Sequence, residues 1–181
     1  MSQVESVEKA KLAASIYLTL PGNPFIYYGE EIGMCGKKPD ENIREPFKWS
    51  QDRSDMDTTW EAASSNQGTL SLQELQGDST NNIYRHYKEL IDFRKEHFVL
   101  ADGEFQAIET GKESIVAYDR KNEEEELIVI HNLSKKEAEI QNDILKKGTI
   151  LYDNSLESKE GNQVQEGNII VEPYTTIIIK K

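Results

Sequence analysis

Pro21-Gly22-Asn23-Pro24-Phe25-Ile26-Tyr27-Tyr28-Gly29-Glu30-Glu31-Ile32-Gly33 is the stretch on which the fold turns. Between its turn residues runs a short, continuous, β-branched and aromatic segment, Phe25–Tyr28. Such a run suits a strand covered on both faces, as in a parallel sheet. Upstream, residues 5–20 read as a helix, because Val4, Val7, Ala10, Ala14, Tyr17 and Leu18 recur at three- and four-residue spacing. Its second half is apolar nearly all round, the mark of a helix buried on more than one side. Pro21-Gly22 stops it, since proline cannot continue the ladder and glycine readily takes the left-handed cap. Helix, tight turn and buried strand make one α-to-β step of an α/β fold. A parallel strand needs parallel neighbours, and no later segment repeats a strand–helix–strand pattern. The neighbours are therefore expected on a segment outside this sequence.

The chain has 181 residues, 33 acidic and 21 basic, for a formal charge of −12. A domain commonly runs roughly 100–200 residues, so the length allows one domain or one and a half. This acidity argues against a nucleic-acid groove or an anionic membrane surface, both of which need clustered Lys and Arg. No stretch approaches the ~18 consecutive apolar residues of a membrane span. The single cysteine, Cys35, excludes an internal disulfide and any multi-cysteine metal site. The first residues show no basic segment followed by an apolar one, so no signal peptide is expected in them. The compartment stays open.

Gly22-x-Pro24-x-x-x-Tyr28-Gly29-x-Glu31, followed by Ile32-Gly33-Met34 and then by Ile43-Arg44-Glu45-Pro46-Phe47-Lys48-Trp49, resembles the α-amylase family of glycoside hydrolases. In that family the first motif marks the last strand of the (β/α)8 barrel, and an Arg-x-Pro-[Met/Phe]-x-Trp motif lies in the loop that follows. The remaining layout agrees, so the resemblance covers essentially the whole chain. It implies an α/β plus all-β chain: the C-terminal remnant of a (β/α)8 barrel over residues 1–100, then an antiparallel β-sandwich over 101–181. It also implies that the nucleophile aspartate, the acid/base glutamate and the third aspartate (in an Asn-His-Asp motif) lie on strands outside this sequence. No catalytic residue is therefore assigned, and the chain is expected to be inactive alone. The implied partners are an α-glucan or malto-oligosaccharide, met through the intact parent, and the missing N-terminal barrel segment. Self-association through exposed apolar surface of the first helix and strand is a further expectation.

Residues 30–80 are polar, with no long apolar periodicity. Loops at the carboxyl ends of barrel strands build active sites, so function is the favoured reading for this one. Arg44 stands out. A guanidinium grips a carboxylate and a sugar hydroxyl together through its rigid fork of donors. By resemblance, Arg44 touches the sugar at the cleavage subsite; the alternative is a salt bridge to Glu30, Glu31, Asp40 or Glu41. Trp49 and Trp60 stack on sugar faces or, more commonly for a loop tryptophan, anchor local packing. Glu30 and Glu31 invite reading as a catalytic pair. Adjacent residues of an extended segment point to opposite faces, however, so they cannot flank one bond, and Glu31 is expected to accept backbone or arginine hydrogen bonds. Cys35 has no histidine nearby to activate it. His86, His97 and His131 lack metal-ligand spacing. Asp52, Asp55 and Asp57 alternate loosely like a calcium loop, without the Gly and terminal Glu of an EF-hand. No metal or other cofactor is assigned here; calcium is possible in the intact parent.

Ser71-x-x-Glu74 fits a capping box. Ser79 or Thr80 is expected to cap a helix running to about residue 97, with Ile83, Tyr84, Tyr87, Leu90, Ile91 and Arg94 on one side. Beyond it come seven candidate strands: Gly103–Glu109, Ile115–Arg120, Glu126–Asn132, Glu137–Ile140, Gly148–Tyr152, Asn168–Glu172 and Thr175–Lys180. Short alternations divided by Gly and Asn turns indicate an antiparallel sandwich. Glu123–Glu126 crowds a hairpin tip, where like charges discourage edge pairing. Phe105, Tyr118, Tyr152 and Tyr174 would serve a sugar-binding sandwich, but they are dispersed and fall in apolar contexts that suit a core.

Overall fold

The computed structural model describes residues 6–52, 58–61, 65–80, 82–155, 160–161 and 163–181. The chain divides into two compact units. The first comprises residues up to Lys11 and Pro24–Ile91; the second comprises Leu12–Asn23 and Asp92–Lys181.

Helix α1 (Val7–Thr19), whose residues from Leu12 on belong to the second unit, opens at Ser6, whose hydroxyl accepts the Lys9 amide at 3.3 Å in N-cap fashion. Residues 23–27 follow as an unpaired stretch with no ladder partner among the described residues. The sequence predicts a parallel strand here, and the physical reason it is not one is direct. A strand exists by pairing, and every ladder among the described residues is antiparallel and lies between residues 104 and 180. Left unpaired, Phe25 is 91% exposed and Tyr27 50% exposed. Gly29 then turns the chain with φ +89°, and a Cβ there would come within 2.6 Å of Met34 Sδ. A single 3-10 turn, Glu30–Ile32, follows.

Helices α2 (Asp40–Ile43) and α3 (Leu72–Gly77) are short. The predicted capping box is present in full: Ser71 Oγ accepts the Glu74 amide at 3.3 Å, and Glu74 Oε2 accepts the Ser71 amide at 2.8 Å. Ser71→Ala is expected to cost about 1 kcal/mol of local stability. Faster amide exchange at Leu72–Leu75 would register it, and unchanged exchange would count against the cap. Helix α4 (Ile83–Glu96) starts later than predicted. Thr80 spends its hydroxyl on Asp78, at 2.6 Å, and Asn82 takes the capping role by accepting the Arg85 amide at 3.0 Å. Ile83, His86, Tyr87 and Leu90 are buried, the three-and-four spacing expected of one helix face.

The second unit carries helix α5 (Val99–Asp102) and all seven predicted strands. These are β1 (Glu104–Ala107), β2 (Ile115–Lys121), β3 (Glu126–Asn132), β4 (Ala138–Gln141), β5 (Thr149–Asp153), β6 (Asn168–Val171) and β7 (Thr176–Lys180). One sheet has the order β1-β2-β3-β7-β5 and the other pairs β4 with β6, antiparallel throughout. One face of the larger sheet, with Ile128 and Ile130 of β3 and Ile177 and Ile179 of β7, shares a buried cluster with Ile140 and Val171 of the smaller sheet. This is the sandwich core. The opposite face is polar in part: Tyr118, Arg120, His131 and Thr176 are all buried there. The terminal carbonyls of α1 and α5 meet it within the same unit, Thr19 O and Leu100 O both accepting from Arg120 Nη1 at 2.8 Å. The sequence signals for strands between residues 98 and 109 hid α5, a single turn too short to carry a period of its own.

Candidate functional site

The loop predicted to carry function folds within the first unit. Arg44 follows α2, its amide donating to Glu41 O at 3.3 Å. Its side chain is exposed, and Nη2 meets Asp40 Oδ2 at 3.1 Å, with the two side chains 59% and 56% exposed. Of the salt-bridge partners considered, Asp40 is thus the one paired with Arg44 here. A pair this exposed is worth little, at most about 1 kcal/mol.

Tyr28 donates to the carbonyl of Glu45 at 3.2 Å, tying the first motif to the second. Its ring lies 5.0 Å from that of Tyr27. Burial, then Tyr27, raises the Tyr28 hydroxyl above the ordinary phenol range, while Arg44 opposes the shift. Trp49 pairs with Phe47 at 4.6 Å between centroids and is 38% exposed. Packing therefore accounts for part of its ring surface. Trp60 is more open, at 56%.

Glu31 accepts the Gly29 amide at 2.8 Å, the backbone role expected of it. Glu30 receives the Tyr87 hydroxyl at 3.4 Å. The two carboxylates thus serve different partners rather than one gap. Asp52 is exposed, whereas Asp55 and Asp57 lie outside the described residues. Among the described residues no three His, Cys, Asp or Glu side chains group as metal ligands. His86 and His131 are fully buried, and His97 bonds Glu125 at 3.0 Å. Of the aromatic candidates on the sandwich, Tyr118 and Tyr152 are buried, and Phe105, 46% exposed, covers Tyr118 at 5.0 Å.

Sequence reasoning missed Glu45. It is 1% exposed, and its carboxylate accepts the amides of Ser65 and Asn66 at 2.7 and 3.2 Å and Asn66 Nδ2 at 2.7 Å. Its position between Arg44 and Pro46 was the available signal. Nothing in the sequence marks Asn66, 21 residues further on.

These features fit a partial barrel segment followed in sequence by an antiparallel sandwich. Comparison with known proteins agrees with that class. The family model described as "Alpha amylase, catalytic domain" matches residues 1–103, and that of the "Alpha-amylase SusG C-terminal domain" matches residues 115–178. Alpha-amylase 3 of Dictyoglomus thermophilum is 43% identical over 178 residues, covering 97% of this chain and 34% of that protein. The 4-alpha-glucanotransferase of Thermotoga neapolitana is 37% identical over 138 residues, covering 73% of this chain and 31% of its own length. The crystal structure of alpha-amylase from H. orenii superposes with a TM-score of 0.84 at 37% identity, over 98% of this chain and 36% of that one. This chain belongs to the α-amylase family. It spans about a third of the length of these relatives.

Proposed function

We propose that these residues work as the C-terminal part of a retaining glycoside hydrolase that cleaves α-glucosidic bonds in starch-like glucans or malto-oligosaccharides. The observation that carries this reading is Arg44, exposed in a motif of the family and next in sequence to Glu45, whose carbonyl accepts the Tyr28 hydroxyl. Retention requires a carboxylate nucleophile and a carboxylic acid across the scissile bond. In this reading both come from the segment that supplies the other barrel strands. The present chain contributes the last strand, which gains its ladder on meeting that segment, and one wall of the cleft. There Arg44 holds the sugar at the cleavage subsite. The exposed run Phe25–Tyr28 supports such an encounter, since an unpaired apolar segment is a template for sheet pairing. The relatives are named as amylases, glucosidases and glucanotransferases, and the choice between endo and exo action rests with loops outside this chain.

Assays on starch and on an aryl α-glucoside, with a preparation proven free of contaminating amylase, are expected to show no turnover by the chain alone. Mixing with a segment carrying the first seven strands is expected to restore it. Arg44→Ala in that mixture should lower activity by about 10- to 100-fold, the worth of a charge-assisted hydrogen bond. Sustained turnover by the isolated chain would sink the proposal.

A further inference from the structure

Glu45 and Asn66 are 1% and 2% exposed, and three separated stretches of the loop meet on them. The Glu45 carboxylate takes the donors of Ser65 and Asn66 already described. Asn66 in turn donates through Nδ2 to Cys35 O at 2.7 Å and accepts the Cys35 amide on Oδ1 at 2.6 Å. The Glu45 carbonyl holds the Tyr28 hydroxyl. On the other side of Arg44, Gly36 presses on the end of α2: a Cβ there would lie 2.5 Å from Asn42 O and 2.6 Å from Ile43 Cα.

A buried carboxylate costs several kcal/mol unless hydrogen bonds replace its water. These donors are N–H groups of distant loop residues, so the compensation and the ordering of the loop are one event. Arg44 closes α2 with φ −118° and ψ 31°, and its side chain is exposed while that of Glu45, the next residue, is 1% exposed. Fixing Glu45 inward therefore pins the backbone directly after Arg44. We propose that Glu45 and Asn66 are positioning residues that fix the backbone from which Arg44 reaches its ligand. The ligand side of this rests on the sugar-binding reading of Arg44 given above; the anchoring side does not.

Backbone 15N relaxation on the full chain tests it. The Arg44 amide is expected to be rigid, with an order parameter near ~0.85, and to fall below about 0.6 in Glu45→Gln. The glutamine amide would face an N–H donor where a carboxylate oxygen now accepts one. Asn66→Asp sets a second carboxylate against the first and should loosen Arg44 equally. Amides of β3 should not change in either variant. Arg44 staying rigid in both single variants overturns the proposal. In the mixture that restores turnover, Glu45→Gln should lower kcat/KM about 10-fold. If Arg44→Ala leaves that mixture unaffected, the sugar reading fails while the relaxation result still decides the anchoring.

Discussion

Replacing Arg120 with alanine is expected to remove about 3–5 kcal/mol of stability from the β-rich unit, a large part of what a domain of this size possesses. Arg120 is fully buried on the polar face of the larger sheet. Its guanidinium donates to the carbonyls of Thr19 and Leu100 at 2.8 Å, Gly103 at 2.9 Å and Glu104 at 3.4 Å. These acceptors are backbone oxygens at or beyond the ends of α1 and α5, where helix carbonyls lack intrahelical partners and carry partial negative charge. The cation thus replaces a salt-bridge partner with two helix termini. Alanine would strand several buried carbonyls and leave a cavity, and each stranded group costs about 1–3 kcal/mol. Lysine, with one compact ammonium, cannot span the fork and should recover only part of the loss. Urea unfolding followed through β3 and β7 amide exchange measures this. A loss under ~1 kcal/mol would show that water can substitute for the guanidinium, contrary to its burial.

The second large effect is acid sensitivity from two histidines, one in each unit. His131 is enclosed by Tyr118 Oη at 2.9 Å on Nε2 and Thr176 Oγ1 at 2.8 Å on Nδ1, and burial lowers its pKa to about 3. His86 donates from Nε2 to Lys11 O at 2.8 Å, and burial again dominates, lowering it to about 4. Both are neutral in the fold and near 6.5 when unfolded. Their stabilising effect is therefore complete above pH ~6.5 and is lost as pH falls toward the folded values, because only the unfolded chain takes up the proton. Between pH ~6.5 and ~4.5 carboxylates are still ionised, so the histidines act nearly alone, each costing roughly 1.4 kcal/mol per pH unit. Urea midpoints measured across that window should fall steadily. His131→Gln should flatten the dependence in the β-rich unit by close to one proton, while the first unit keeps its slope. An unaltered slope would mean that His131 already titrates normally.

The strands were legible because β2, β3 and β7 are short runs rich in Ile and Val, and β2 and β3 meet at a hairpin marked by Asn122 and its glutamates. Arg44 stands out in the sequence because Arg-x-Pro-x-x-Trp is a compact motif. The 23–27 segment was legible as an element but not as a conformation, since strand geometry there depends on a ladder that no described residue supplies. Glu45 and Arg120 were illegible for a shared reason. Each is a charged residue in a polar context, and its burial follows from N–H or C=O groups brought together by the fold, from residues 65–66 in one case and 19 and 100 in the other. Periodicity records side-chain chemistry and is blind to where backbone donors and acceptors gather.

Cys35 is the chain's one thiol, and it is exposed on a loop whose backbone is bonded on both sides to Asn66. A maleimide fluorophore or nitroxide would therefore label wild-type protein at a single known point, with no cysteine to engineer away. Held by the same side chain that anchors Glu45, such a probe would turn the arrival of a second chain or a sugar into an optical or magnetic signal.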